Sequence, residues 1–198
     1  MPKISAPTLV MHREVRRQEL IAAALELAME EGATGVTVSA VAKKAGLART
    51  SIYEYFASSA DLVADLILEE LEYYALRLAE AIDQSAEPYE QIAQWIAEGL
   101  RYVADGRHML VKSLNTVSTP DSRKSDIALG HRKMMAPLQI ALIATGIKNI
   151  QGAASYLQSI TDAASIRIDA GHDATQEIEQ ATKFAVAGLR ALALEVQR

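Results

Sequence analysis

Residues Thr37–Phe56 read TVSAVAKKAGLARTSIYEYF, and the spacing inside this run decides the fold. Two short helical pieces, about Ser39–Ala45 and Arg49–Tyr55, flank Gly46. A pair of short helices with glycine at the turn is a helix-turn-helix. Val41 and Ala42 give the first helix an apolar inner face, and Ala45 is small where the two helices cross. Gly46 can take the positive-φ conformation that the turn needs. Leu47 and Ile52 anchor the second helix in a core, which leaves Arg49, Thr50, Ser51 and Tyr53 on or near its outer face.

Working outward, apolar residues recur at three- and four-residue spacing almost everywhere, and no alternating run is longer than Gly35–Ser39. Upstream, a helix over Arg13–Glu31 turns Leu20, Ile21, Ala24, Leu25 and Ala28 inward and is stopped by Gly32. Downstream, a helix over Ser59–Asp83 carries Val63, Ile67, Leu71, Tyr74, Leu78 and Ile82 along one side. Ser58 and Asp61 form a capping box at its start. Pro88 opens a helix to Gly106, and a shorter one follows over Arg107–Val117. Thr119-Pro120-Asp121-Ser122 is a turn. A helix over Ser125–Thr145 contains Pro137 as a kink. The last two helices, Asn149–Asp169 and Ala174–Gln197, are divided by Gly171-His172-Asp173. The expected fold is all-α with about nine helices.

The run Ala42–Leu62, AxxAGLARTSIYEYFxSxxxL, resembles the DNA-binding domain of the TetR (tetracycline-repressor) family. The resemblance is specific over about residues 13–73. It implies a helix-turn-helix DNA-binding domain over residues 13–58 and a helical ligand-binding and dimerisation domain over 59–198. Carried over by position, Ser39–Ala45 is the positioning helix and Arg49–Tyr55 the recognition helix. Arg49, Thr50 and Ser51 then face base edges or nearby phosphates, and Tyr53 and Tyr55 contact the DNA backbone. Thr37, Ser39 and Lys44 are phosphate contacts near the first helix. Arginine can donate two hydrogen bonds to guanine O6 and N7, a threonine methyl can touch thymine, and hydroxyls donate to phosphate.

Two positions depart from the family pattern. Ala48 stands where a Ser or Thr usually caps the recognition helix, a loss of about 1 kcal/mol. Ser59 stands where a Lys commonly begins the next helix, which removes one phosphate contact. Other basic residues, Arg13, Arg16 or Arg17 among them, are expected to supplement the electrostatic hold. The charge distribution agrees: residues 1–60 carry seven Lys/Arg against six Asp/Glu, and the remaining 138 carry thirteen against nineteen. A slightly basic head on an acidic body is compatible with nucleic-acid binding by the head alone.

The rest of the composition is chiefly excluding. With 50% hydrophobic and 23% charged residues the chain folds around a core. The absence of cysteine removes disulfides, thiolate metal sites and cysteine nucleophiles. His12, His108, His131 and His172 lie far apart with no HxxxH or HExxH pair, so no metal site is expected. No nucleophile elbow, GxGxxG or GxxxxGK occurs, so neither catalysis nor a cofactor is expected. The longest apolar stretch, Leu138–Ile147, is too short to span a bilayer, and the start has no signal-like apolar run. A cytoplasmic protein without membrane partners is the expectation.

In the last two helices, Ile150, Ala153, Leu157, Ile160, Ala164 and Ile168 form one apolar stripe, and Ile178, Thr182, Ala185, Leu189, Leu192 and Val196 another, with Ala181 and Gly188 adding small residues. Such stripes pack on their own domain or on a partner. In a family that dimerises through its last two helices they favour a two-fold four-helix bundle, with Leu157, Ile178, Ala185, Leu189 and Leu192 at the interface. Tyr74, Trp95, Tyr102, His108, Met109, His131, Met134, Met135 and Tyr156 are candidate linings of an effector cavity, since Met adapts to irregular apolar ligands and Tyr and Trp add a polar handle. The resemblance thus implies a homodimeric regulator, a repressor that reads a pseudo-palindromic operator in double-stranded DNA. A small apolar or amphipathic effector would favour a body conformation that separates the two heads and so shift the population off DNA. The alternatives are a helical adaptor with a vestigial helix-turn-helix, a regulator controlled by a protein partner, and an all-α enzyme.

Overall fold

The computed structural model describes residues 6–194, and every regular element among them is helical. The helices are α1 (Ala6–Glu31), α2 (Val38–Lys44), α3 (Arg49–Ile52), α4 (Ser59–Ala81), α5 (Pro88–Ala104), α6 (Arg107–Leu114), α7 (Lys124–Ala144), α8 (Ile150–Asp169) and α9 (Ala174–Leu194). Short 3-10 turns occupy Ala33–Gly35 and Asp121–Arg123. This is the all-α architecture that the periodicity predicts. The expected final turn of α9 to Gln197 lies outside the described residues.

The boundaries of α1 and α3 differ from the expectation, each for a local reason. α1 begins at Ala6 rather than near Arg13. Pro7 falls in its first turn, where the missing N–H costs no helical bond, and nothing breaks the helix before Gly32. Within α1, Leu27 is buried and Leu25 only half-buried, the reverse of the expected pairing. α3 ends at Ile52, and Tyr53–Tyr55 continue as a turn in which the N–H groups of Tyr55 and Phe56 both reach the Ile52 carbonyl, at 2.9 and 3.0 Å. α7 runs through Pro137 without interruption.

The chain divides into two compact units. The first gathers the residues up to Glu70 together with Leu110–Ile127. Its buried side chains include Leu20 and Ala24 of α1, Val41 of α2, Ile52 of α3, Phe56, Leu62 and Leu66 of α4, and Leu114 of α6. Segment 110–127 is fastened to the helices before it by polar contacts. Ser113 Oγ accepts a hydrogen bond from the Ala33 N–H at 2.8 Å. The Asp65 carboxylate of α4, only 7% exposed, takes Arg17 of α1 at 2.8 Å on one oxygen and Arg123 on the other. The Arg17 guanidinium also lies over the Phe56 ring, 5.8 Å from its centroid. A buried carboxylate is tolerable here because both its oxygens meet cations.

The second unit gathers Leu71–Met109 with the residues from Ala128 onward. In it α5, α8 and α9 pack on one another around Ile92, Trp95, Ile96, Leu142, Leu157, Ala185 and Leu189. Tyr74 and Tyr102 stack at 4.2 Å between centroids. Gly99 is required there, since a Cβ at that position would lie 2.9 Å from the Tyr74 hydroxyl. Arg77 of α4 donates to Glu98 at 2.8 Å and to Asp105 at 2.7 Å, tying α4 to both ends of the last α5 turns. Among the described residues no helix is long and apolar enough to cross a membrane, and no three His, Asp or Glu gather as a metal site would need.

Replacing Asp65 with Ala leaves two guanidinium groups without their shared carboxylate. We expect Asp65→Ala to lower the unfolding free energy by about 3 kcal/mol, read as a fall in the urea midpoint.

Candidate nucleic-acid interface

The turn between α2 and α3 is fixed by three local features. Thr37 caps α2 by accepting the Ala40 N–H at 3.1 Å. Gly46 takes φ 67°, and beyond it the Leu47 N–H returns to the Ala42 carbonyl at 2.8 Å. Ser59, which stands where a lysine could have reached a phosphate, accepts the Val38 N–H at 3.1 Å and so ties the start of α2 to the start of α4. At the other end of the turn Ala48 makes no side-chain cap, as its residue type requires. Ser58 does cap α4: its Oγ accepts the Asp61 N–H at 3.1 Å and donates to the Asp61 carboxylate at 2.8 Å.

Ile52 is fully buried, which sets the roll of α3 and turns Arg49 and Thr50 outward. Arg49 donates to the Tyr53 hydroxyl at 3.2 Å, one helical turn away, so the two side chains form a unit with several N–H donors still free. Tyr53 is 47% exposed, Tyr55 and Ser51 are half-buried, and Thr37 and Ser39 are exposed. Because Thr37 caps through an oxygen lone pair, its own O–H proton is still available to a phosphate. Lys44 is placed differently from the other candidates. Its ammonium lies 3.0 Å from Glu26 and 3.2 Å from Glu30 of α1, and these carboxylates raise its pKa above the usual lysine value. The neighbouring Lys43 is exposed and meets no carboxylate among the described residues. Family position points to Lys44 and not to Lys43; Glu26 and Glu30, four apart on α1, are the sequence signal that sets the two lysines apart.

The candidate effector residues fall into two groups. Tyr74, Trp95, Tyr102, Met134 and Met135 belong to the second unit's core or pack against it, apart from Tyr102, which reaches it through its stack on Tyr74. Burial raises the Tyr74 hydroxyl to about 12, so it is a neutral phenol at physiological pH. Met109, at 55%, and His131 are exposed and stand away from that core. His108 Nε2 lies 2.8 Å from Asp169 at the end of α8. Among the described residues of the unit, buried polar atoms without a hydrogen-bond partner include Trp95 Nε1 on α5, His108 Nδ1 on α6 and Thr182 Oγ1 on α9. Thr182 was visible in the sequence only as a member of an apolar stripe.

Of the residues expected at a dimer interface, Leu157, Ala185 and Leu189 are buried in their own protomer's core, and Ile178 and Leu192 are half-buried. The stripe picked out by spacing is therefore the inward face of α8 and α9. The opposite face presents Tyr156, Ile166 and Phe184, all about two-thirds exposed or more, among the small residues Ser159, Ala163, Ala187, Gly188 and Ala191.

Residues 20–66 match the profile of "Bacterial regulatory proteins, tetR family". The chain is 29% identical over 111 residues to the fatty acid metabolism regulator protein of Bacillus subtilis, a match covering 56% of this chain and 55% of that protein. It is 32% identical over 77 residues to the HTH-type transcriptional repressor KstR2 of Mycobacterium tuberculosis, covering 39% and 38%. The matches thus span about half or less of the length of these relatives. The fold is similar to that of the transcriptional regulator FadR from Bacillus subtilis, solved in complex with stearoyl-CoA: the TM-score is 0.68 at 22% identity, over 86% of this chain and 98% of that one.

Ala48 has extended backbone angles suited to a capping side chain. We expect Ala48→Ser to raise the stability of the first unit by about 1 kcal/mol, measured as an increased urea midpoint.

Proposed function

We propose that the chain, whose residues 20–66 match the profile of bacterial regulatory proteins of the tetR family, is a dimeric transcriptional repressor that binds an operator and leaves it when a small acyl compound binds. The observation that carries the DNA-binding part is the outward pair Arg49–Tyr53 on a helix whose opposite side is fully buried. Arg49 reads a base edge from the first turn of α3, Thr50 and Ser51 lie beside it, and Tyr53 and Tyr55 with Thr37 and Ser39 hold the phosphates. On this reading residues 13–58 bind DNA, residues 59–198 bind the effector and the partner copy, and the protein works in the cytoplasm. The relatives carry the names of regulators, which supports a binding protein over an enzyme.

The effector reading draws on the core of the second unit. Its side chains are apolar and aromatic, while the Trp95 indole N–H and the Thr182 hydroxyl lack partners. An unpaired buried donor costs free energy that a ligand acceptor can recover. An apolar chain bearing a carbonyl has that chemistry, and the similar fold solved with stearoyl-CoA favours the acyl class. Release then follows from linkage: an effector that binds the DNA-free protein more tightly weakens operator binding by the same factor. Dimerisation is assigned to the outward face of α8 and α9, where Tyr156, Ile166 and Phe184 are exposed beside small residues that permit close helix approach.

The test is capture of genomic fragments by the purified full-length protein, followed by sequencing and by titration with stearoyl-CoA. We expect a pseudo-palindromic sequence to be enriched and its affinity to fall when the acyl compound is added; recovery of fragments at random would overturn the reading. On the enriched site Arg49→Ala should weaken binding by ~1–3 kcal/mol and relax preference at one base pair, whereas an equal loss on random DNA would make Arg49 a phosphate contact only. Phe184→Glu, which puts a charge on the exposed face without entering the protomer core, should give a folded monomer by sedimentation. An unchanged dimer would move the interface elsewhere.

A further inference from the structure

The described cations near the recognition helix sort into two classes. Residues 10–60 contain six Lys and Arg. Arg16 is paired with Glu19 at 2.6 Å, Arg17 with Asp65 at 2.8 Å, and Lys44 with Glu26 and Glu30. Arg13, Lys43 and Arg49 meet no carboxylate among the described residues. A cation already paired with a carboxylate has less to gain from a phosphate than one left open.

Of the open three, Arg49 opens α3, and Arg13 sits at the other end of the same segment. Its Nη2 donates to the Glu54 carbonyl at 2.9 Å, just past the last turn of α3, across 41 residues of sequence. Nothing in the core requires Arg13 to be there. Every described side chain of α1 from Val10 to Arg16 is exposed, and the first buried one is Leu20. These early turns of α1 therefore contribute little packing, yet they hold a cation against the end of the recognition segment. The hydrogen bond occupies one of five guanidinium donors and leaves the others pointing to solvent.

We propose that Arg13 is a positioning and phosphate-contacting residue of the DNA interface: it holds the end of the recognition segment through Glu54 and donates its remaining N–H groups to the backbone of bound DNA. α1 thereby becomes part of the binding surface. Arg49 reads sequence at one end of the segment, and Arg13 supplies sequence-independent attraction at the other. This inference rests on the DNA-binding reading above.

The experiment compares full-length wild type, Arg13→Gln, Arg13→Lys and Arg49→Gln on a random-sequence duplex and on the enriched genomic site, across a salt series. Arg13 and Arg49 are exposed, so all four proteins should fold, with at most a small fall in the urea midpoint of Arg13→Gln from the lost bond to Glu54. Arg13→Gln should bind both DNAs more weakly and lower the slope of log affinity against log salt by about one per protomer. Its deficit should shrink roughly 3–4-fold per protomer between 50 and 200 mM salt. Arg13→Lys should restore the slope, because an ammonium still meets the phosphate. An unchanged slope in Arg13→Gln overturns the phosphate contact, whether or not operator affinity falls. Failure of the wild type to bind either duplex would overturn the function itself, a result distinguishable from loss confined to Arg13→Gln.

Discussion

A single helical turn gains too few hydrogen bonds to offset the ordering of its own backbone. α3 is such a turn, Arg49–Ile52, and it has no side-chain cap at its start. Its existence therefore depends on what surrounds it. Ile52 and Phe56 are buried to within 2%, the Leu47 N–H is bound across the Gly46 turn, and Arg13 holds the Glu54 carbonyl beyond the helix. All of the stabilising contacts lie on the inner side or at the ends. The outer residues Arg49 and Thr50 take no part in packing, and their identities are free to be set by a ligand instead of by the fold.

Electrostatics divides the same unit between scaffold and surface. Asp65 gathers Arg17 and Arg123, and Glu26 and Glu30 gather Lys44, so these cations serve the fold. The near-zero net charge of the first sixty residues thus hides a polar arrangement: Glu19, Glu26 and Glu30 hold cations along α1, Glu54 is exposed beyond α3, and Arg13, Lys43 and Arg49 meet no carboxylate among the described residues. Composition alone gives no hint of this, since it counts Lys43 and Lys44 equally.

The helix-turn-helix was legible because its requirements are local. A glycine at the turn, small and apolar residues at fixed offsets and a short outer face all lie within one run of twenty residues, Thr37–Phe56. Ser58 as a cap of α4 belongs to the same class of short-range signals. What failed to be legible depends on distant partners. Family position makes Lys44 a phosphate contact, and only the folded chain brings the Glu26 and Glu30 carboxylates of α1 to its ammonium. The stripe through Leu157, Ala185 and Leu189 shows that α8 and α9 are amphipathic, but periodicity cannot say whether the apolar side meets its own chain or another. The more exposed side, with Tyr156 and Phe184, became visible only once α5 was seen to cover the first. Met109 and His131 were chosen by residue type, and type carries no information about which way a side chain faces.

The first unit is discontinuous in sequence, with Leu110–Ile127 completing what the residues up to Glu70 begin. On the ribosome this imposes an order of events. The helix-turn-helix can form its local turns as soon as it emerges, but Asp65 must wait for Arg123, and the Ala33 N–H for Ser113, until the intervening residues 71–109 have been synthesised. Contacts of such long sequence separation slow the closing of a domain and prolong the time for which its apolar side chains are exposed. A nascent chain stalled or truncated before segment 110–127 would therefore carry a complete recognition motif on an unfinished support, making it a candidate for aggregation or proteolysis before it could compete for DNA.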